Sequence, residues 1–401
     1  MDEIQIITPT SKSLSNRWLV MDYLSQHGIK VKRLSPADDT HTMKNMLHQL
    51  KGGKRHQFDC GDAASTARFL MALLAVTPAK NTLTGSDQLK RRPMGALIDA
   101  LRTLGCTITC TEEEGHLPVV VEGLNTLVTR VEIDPSVSSQ FVSALLMLGV
   151  ALPGGISVHL TGTPVSKTYI DMTLKVMAQA GIRCTMADND TTYRVEHNIP
   201  MCEAVSIERD WSAASYFYLA AAVNPALRLR MRGLTRSESQ GDFAAHQIFA
   251  RLGVETFFEN DSAILEQTSP AEERLEYDFT NCPDLVPAVA VACAMLGVKA
   301  RLTGVSTLRV KECDRLAALV EGLAQFGIKA QAAENELTIA SDGIRDPLDR
   351  RVGVLAINSH DDHRIAMAFG ALRTIYPDIQ VSNPDCVNKS FPEFWEMIDR
   401  C

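Results

Sequence analysis

A chain of 401 residues, 45% hydrophobic and 22% charged, is globular in composition and too long for one ordinary core, so two domains or more are expected. Its formal net charge of −8 argues against general nucleic-acid binding but leaves room for a local basic cleft. The acidic start MDEIQ has neither the basic flank nor the apolar core of a signal peptide, and the longest apolar run, LVPAVAVACAMLGV from Leu285, is too short for a bilayer and contains proline, which predicts a cytoplasmic protein with no membrane association.

The first predicted helix opens in TPTSKSLSNRWLV (residues 8–20), with Ser11 or Ser13 as its cap. A helix N-terminus leaves N–H groups unpaired and carries the positive end of the dipole, so it favours anions. Lys12 and Arg17 add full charges there, and Ser13 and Arg17, like Lys12 and Asn16, stand four apart on one face. Helices rich in small apolar residues, each with a polar start, recur at Ser65, Ser138, Ser212, Asp284 and His363. Being apolar all round, they belong inside a domain. Alternating with them are amphipathic helices that close on Gly105, Gly181, Gly253 and Gly327 and run into β-branched or aromatic residues, the signature of a glycine C-cap followed by a strand. These glycines lie about 74 residues apart, which divides the chain into six α+β units, three to a domain, the first of them about twenty residues short. Ten cysteines without CxxC pairs suit reduced thiols.

If inner helices share a direction, their polar N-termini gather on one face of each domain, and two such faces across a hinge make an anion-binding cleft. Lys12, Arg17, Arg92, Lys311, Arg315, Arg364 and Lys389 all stand at helix or loop starts, which predicts a strongly anionic small ligand held by arginine forks and lysine point charges. Such ends on both halves should repel one another when empty. Ser138, Ser139 and Asp284 are caps or ligands on sequence grounds alone. The His-Asp-Asp-His run at 360–363 has metal-binding residue types without a further ligand signature, and no metal is expected.

Taken together, SKSLSNR, KRRPMG, SVSSQF, RVKECDRL, DDHRIAM and NKSFPEF resemble, in order and over nearly the whole chain, the 5-enolpyruvylshikimate-3-phosphate synthases, a family of enolpyruvyl transferases. The resemblance implies a two-domain inside-out α/β barrel of six βαβαββ units, with residues 11–208 forming one domain and 1–10 with 209–401 the other. Buried helices would aim their N-termini at the interdomain cleft. It implies a monomer that joins shikimate 3-phosphate to phosphoenolpyruvate without metal, cofactor or nucleic acid. By position, Lys12, Ser13, Arg17, Ser138, Ser139, Gln140, Ser166, Tyr169, Asp284 and Lys311 would hold shikimate 3-phosphate, with Ser13 and Arg17 on its carboxylate. Lys12, Ala64, Arg92, Gln140, Arg315, Arg364 and Lys389 would line the phosphoenolpyruvate site. Lys12, Asp284, Glu312 and His363 would be the catalytic groups.

Thr10 stands where the family usually has glycine, Gln88 where it often has arginine, and Asp62 and Ala64 replace an asparagine and a glycine. Asp62 is thereby expected near the anionic pocket. The rival readings are a UDP-N-acetylglucosamine enolpyruvyl transferase, which usually carries a reactive cysteine in the loop occupied here by GSDQLKRRPM, and a non-catalytic paralogue that binds an anionic metabolite.

Overall fold

The computed structural model describes residues 3–26, 28–53, 56–125, 128–187, 191–340 and 355–401. One βαβαββ unit shows the plan. Strand Gln57–Asp59 leads through helix Ala64–Ala75 to strand Lys80–Thr84, which lies parallel to the first. Helix Gly95–Thr103 follows and ends at Gly105, whose φ of 98° is open only to a residue without a Cβ. The hairpin Cys106–Cys110 and Val119–Leu124 then returns antiparallel, so the sheet order is first, second, fourth, third. Alternate residues Leu83, Ile108, Val119 and Val121 are buried, so one face of the sheet packs on the core. Helix Ala64–Ala75 is buried almost all round, as its small apolar residues require.

The same order recurs in three more sheets, built from Arg130–Ile133, Ile156–Leu160, Cys184–Ala187 and Thr192–Val195; from Glu3–Ile6, Arg228–Arg232, Val254–Glu259 and Ser262–Gln267; and from Arg274–Asp278, Lys299–Thr303, Lys329–Ala332 and Glu336–Ala340. In the second of these the leading strand comes from the start of the chain and pairs in parallel with Arg228–Arg232. Ala204–Ser206, the strand that precedes helix Trp211–Val223, pairs instead with Lys30–Lys32.

Four units, not six, show the full plan among the described residues. Among those residues the other two contain only a pair of parallel strands, Lys30–Lys32 with Ala204–Ser206 and Ala356–Ile357 with Gln380–Val381. In the first case the cause is chain length: helix Asp38–Gly52 is followed by strand Gln57–Asp59, and the four residues 53–56 between them are too few for a hairpin of two strands. That missing hairpin is the shortfall seen in the repeat spacing.

The chain divides into two compact units, Ser11–Ile207 and Met1–Thr10 with Glu208–Cys401, called here the N-terminal and C-terminal units. Each has its own apolar core. In the C-terminal unit, Ala213 to Ala222 and Val286 to Met295 are continuously buried along their helices.

Candidate active site

In the N-terminal unit the helix starts carry the predicted polar residues. Helix Lys12–Leu24 is capped by Ser11, whose Oγ accepts from the Leu14 N–H at 3.4 Å, which resolves the choice between Ser11 and Ser13. The Lys12 ammonium donates to Asp39 at 2.9 Å, in the first turn of helix Asp38–Gly52, and both side chains are largely buried. Arg17 is buried and donates to the Ser13 carbonyl at 2.9 Å, the Thr173 hydroxyl at 2.7 Å, the Tyr169 carbonyl at 3.1 Å and the Ser143 hydroxyl at 3.4 Å. The rings of Phe69 and Tyr169 lie 5.5 and 6.0 Å from its guanidinium carbon. Burial pulls its pKa down to about 10, which leaves it charged at neutral pH among neutral partners. A buried cation of this kind is suited to a small anion.

A second cluster centres on Arg68. Its Nη1 donates to Gln140 Oε1 at 2.8 Å and to Ser138 Oγ at 3.4 Å, and its Nη2 to the carbonyl of Pro93, next to the buried Arg92, at 3.5 Å. Ser138 is also the cap of helix Ser139–Ala151, accepting from the Gln140 N–H at 3.3 Å. Ser139 is buried beside it. Ser166, with φ at 54°, turns the chain into helix Lys167–Gln179, whose first turn presents Tyr169. Ala64 is the buried first residue of its helix. Asp62 is exposed and accepts a hydrogen bond from Ser86, the cap of helix Asp87–Lys90.

The C-terminal unit assembles cations and carboxylates on one another. Arg315, fully buried at the start of helix Arg315–Ala324, donates from Nε to Asp362 at 2.7 Å, from Nη1 to Asp284 at 3.1 Å and from Nη2 to Glu312 at 2.7 Å. Burial alone would weaken its charge, but the three carboxylates more than offset that and hold it protonated. Asp284 lies in the 3-10 turn Pro283–Leu285 and is not a cap: its second oxygen accepts from Arg364 at 2.7 Å. Arg364 reaches the Tyr216 hydroxyl at 3.5 Å. Tyr216 is pushed up to about 12, first by burial, so it stays a neutral hydroxyl. Lys389, at the end of the 3-10 turn Pro384–Lys389, approaches Glu312 at 3.9 Å. Lys311 stands half-buried just after the 3-10 turn Ser306–Val310.

Asp362 caps helix His363–Gly370 through the Arg364 N–H at 2.8 Å, and its Oδ1 lies 3.8 Å from Nδ1 of the buried His363. His360 turns to Glu321 at 3.0 Å, so the His-Asp-Asp-His run does not converge. Among the described residues no three His, Cys, Asp or Glu side chains are placed to share a metal ion.

Several residues of consequence escape the sequence reading, Arg68, Thr173 and Ser143 among them. Arg68 could have been found, as the one cation in the apolar stretch ASTARFLMALLA. Thr173 and Ser143 could not, because their bonds to Arg17 span 156 and 126 residues.

The sequence profile of the family "EPSP synthase (3-phosphoshikimate 1-carboxyvinyltransferase)" matches residues 51–398. A 3-phosphoshikimate 1-carboxyvinyltransferase of Bacteroides fragilis is 36% identical over 387 residues, covering 96% of this chain and 92% of the relative. One from a Sulfurovum species is 31% identical over 420 residues, covering 99% and 96%. Among solved structures, an EPSP synthase of Acinetobacter baumannii superimposes with a TM-score of 0.75 at 22% identity, over 99% of this chain and 95% of the other. The enolpyruvyl transferase NikO of Streptomyces tendae does so with a TM-score of 0.70 at 13% identity, over 99% and 94%.

Proposed function

The chain belongs to the EPSP synthase family, and we propose that it transfers the enolpyruvyl group of phosphoenolpyruvate to the 5-hydroxyl of shikimate 3-phosphate with release of phosphate. The observation that carries this reading is Arg315, which joins Asp284 and Glu312 through one guanidinium. Two carboxylates set beside one another, with Arg364 and Lys389 at hand, supply the acid, the base and the phosphate-stabilising cations that addition and elimination require.

Phosphoenolpyruvate becomes electrophilic at C2 when its methylene carbon is protonated, and the 5-hydroxyl attacks that carbon as it loses its own proton. In our reading Asp284 takes the hydroxyl proton. Glu312, with Lys12, delivers the proton to the methylene carbon and removes one from the resulting methyl group as phosphate leaves the tetrahedral adduct, with His363 close by. Arg17 and Ser13 take the shikimate carboxylate, and Ser138, Ser139, Ser166 and Lys311 the 3-phosphate. Gln140 and Tyr169 meet the ring. Lys12, Arg92, Arg364 and Lys389 bind phosphoenolpyruvate beside Ala64. Arg315 joins them by exchanging one of its carboxylate partners for the ligand. Every step uses side-chain acids, bases and cations, so no metal or cofactor is required.

The same reading takes the fold as an inside-out barrel in each unit, with inner-helix N-termini on one face, and the enzyme as a monomer of the cytoplasm acting on small molecules and not on nucleic acid. No helix among the described residues is long and apolar enough to cross a membrane. Against the UDP-N-acetylglucosamine alternative, the GSDQLKRRPM loop has no cysteine. The next one along, Cys106, is buried, and its thiol is pushed up to about 12 by that burial. A binding protein would not need both Asp284 and Glu312. The deciding experiment measures phosphate release from phosphoenolpyruvate with each acceptor: turnover with shikimate 3-phosphate is expected, and turnover only with the UDP-sugar would overturn the assignment.

A further inference from the structure

Asp242 is a buried carboxylate of the C-terminal unit that the mechanism does not use. Asp242 lies in the 3-10 turn Gly241–Ala244 and is only 3% exposed. Its Oδ2 accepts a hydrogen bond from Ser212, in the first turn of helix Trp211–Val223, while its Oδ1 is buried with no hydrogen-bond partner among the described residues. The turn is firmly held. Gln240, just before it, accepts from the Trp211 N–H at 3.0 Å and donates to Glu208 and to the Arg209 carbonyl, both at 2.7 Å. A buried carboxylate with one vacant oxygen is a poor structural element, because an unsatisfied charge in the interior is costly. Protonation of Oδ1 relieves that cost.

We propose that Asp242 is a positioning residue for the reaction, whose carboxylate gains and loses a proton on Oδ1 and thereby tunes the strength of Asp284 as the base. The inference rests on the reading of Asp284 given above. Ser212, which bonds Asp242, stands one turn before Tyr216 on the same helix, and the Tyr216 hydroxyl meets Arg364, which donates to Asp284 at 2.7 Å; the charges that act on Asp242 are those of Asp284, Arg364 and Asp210, and its own charge acts on the Cys282 thiol. Burial first, then the charge of Asp284, raise the Asp242 carboxyl to about 7, against the opposing pull of Arg364 and the Ser212 hydroxyl. Coupling between two sites is reciprocal, so ionised Asp242 makes Asp284 hold a proton more strongly, and protonated Asp242 withdraws that help. The sign follows: the base is stronger above neutrality and weaker below it.

The pH profile of kcat/KM in the wild-type enzyme is expected to rise through an inflection near neutrality. In Asp242→Asn, which keeps an acceptor for Ser212 but cannot ionise, that inflection should vanish and the rate at pH 8 should fall severalfold to about tenfold. Ser212→Ala removes the O–H that stabilises ionised Asp242, so it should move the inflection to higher pH. A purely structural Asp242 would lower the rate equally at every pH with the inflection in place, and that result overturns the proposal. Carboxyl carbon-13 NMR on the ligand-free protein separates the two readings. The Asp242 titration should fall toward the ordinary carboxylate range in Asp284→Asn. A titration unmoved by Asp284→Asn overturns the coupling whatever happens to kcat; a moved titration with kcat intact in Asp284→Asn overturns instead the base assignment on which the inference rests.

Discussion

Two buried arginines show how differently one residue type is used. Arg17 is surrounded by hydroxyls, carbonyls and rings, whereas Arg315 has a carboxylate on each of its three nitrogens. In the proposed reading the first awaits an anion and the second holds its carboxylates together until one of them gives way to the ligand. Asp284→Asn and Glu312→Gln, which preserve shape and remove the titratable group, should each lower kcat by about two orders of magnitude or more with smaller changes in KM. Steady-state kinetics checks this, and near-normal kcat in either variant removes that residue from its role. Ala64 offers a test of pocket shape. Glyphosate, the inhibitor of the family that this sequence resembles, is longer than phosphoenolpyruvate, and a methyl group at the pocket wall obstructs the longer molecule more. One such clash costs on the order of 1–3 kcal/mol, so Ala64→Gly should lower the ratio of the glyphosate inhibition constant to the KM for phosphoenolpyruvate by roughly tenfold or more. An unchanged ratio would mean that alanine serves the helix start alone. Asp62, exposed and bonded to Ser86, is expected to act on inhibitor and substrate alike, so the ratio and not the inhibition constant alone is the readout.

At the scale of elements, Gly322 is the place where an outer helix meets an inner one. A Cβ built there would lie 2.3 Å from the tip of the buried Phe369 ring, in the same helix that starts with His363 and Arg364. Phe369 is also stacked on Phe326, with ring centroids 6.2 Å apart, so it has little room to retreat. Gly322→Ala should therefore cost about 1–3 kcal/mol and raise the KM for phosphoenolpyruvate through displacement of Arg364, with Tm lowered by several degrees. A thermal melt within a degree of wild type would refute the packing argument. The elements themselves were largely legible. Inner helices begin at Lys12, Ala64, Ser139, Trp211, Val286 and His363, each within two residues of the polar starts read from sequence, because caps and small apolar runs are local signals. The four glycines all have positive φ. What could not be read was the pairing: the bonds from Arg315 to Asp284 and Asp362 span 31 and 47 residues, and no local pattern announces them. The missing hairpin of the first unit left only a short spacing, since an absent element has no residues to read.

For the whole molecule, charge balance corrects one expectation. The helix starts of the N-terminal unit bring Lys12, Arg17, Arg68 and Arg92 with Asp39 bonded among them, a positive set. The C-terminal cluster has Lys311, Arg315, Arg364 and Lys389 beside Asp284, Glu312 and Asp362, with Asp242 only partly ionised near neutrality, so most of its positive charge is balanced and repulsion between two cationic faces is weakened as a reason for an open empty state. Ligand-driven closure, which the proposed reading expects, then needs another cause. In the proposed reading shikimate 3-phosphate engages Ser13, Arg17, Ser138, Ser139, Ser166 and Tyr169 of one unit and Asp284 and Lys311 of the other, so a single molecule gains its full set of contacts only when both units reach it. The chain passes between the units twice, at Thr10–Ser11 and Ile207–Glu208, and Thr10 is paired with Arg209 in an antiparallel bridge that sets these passages side by side. In the proposed reading these two connections serve as a hinge. Small-angle scattering should then show a smaller radius of gyration with shikimate 3-phosphate than without it. Inorganic phosphate at matched ionic strength should leave the radius unchanged, because it cannot span carboxylate and phosphate subsites together. Compaction by inorganic phosphate would point to charge neutralisation as the cause, and no compaction by shikimate 3-phosphate would defeat the hinge.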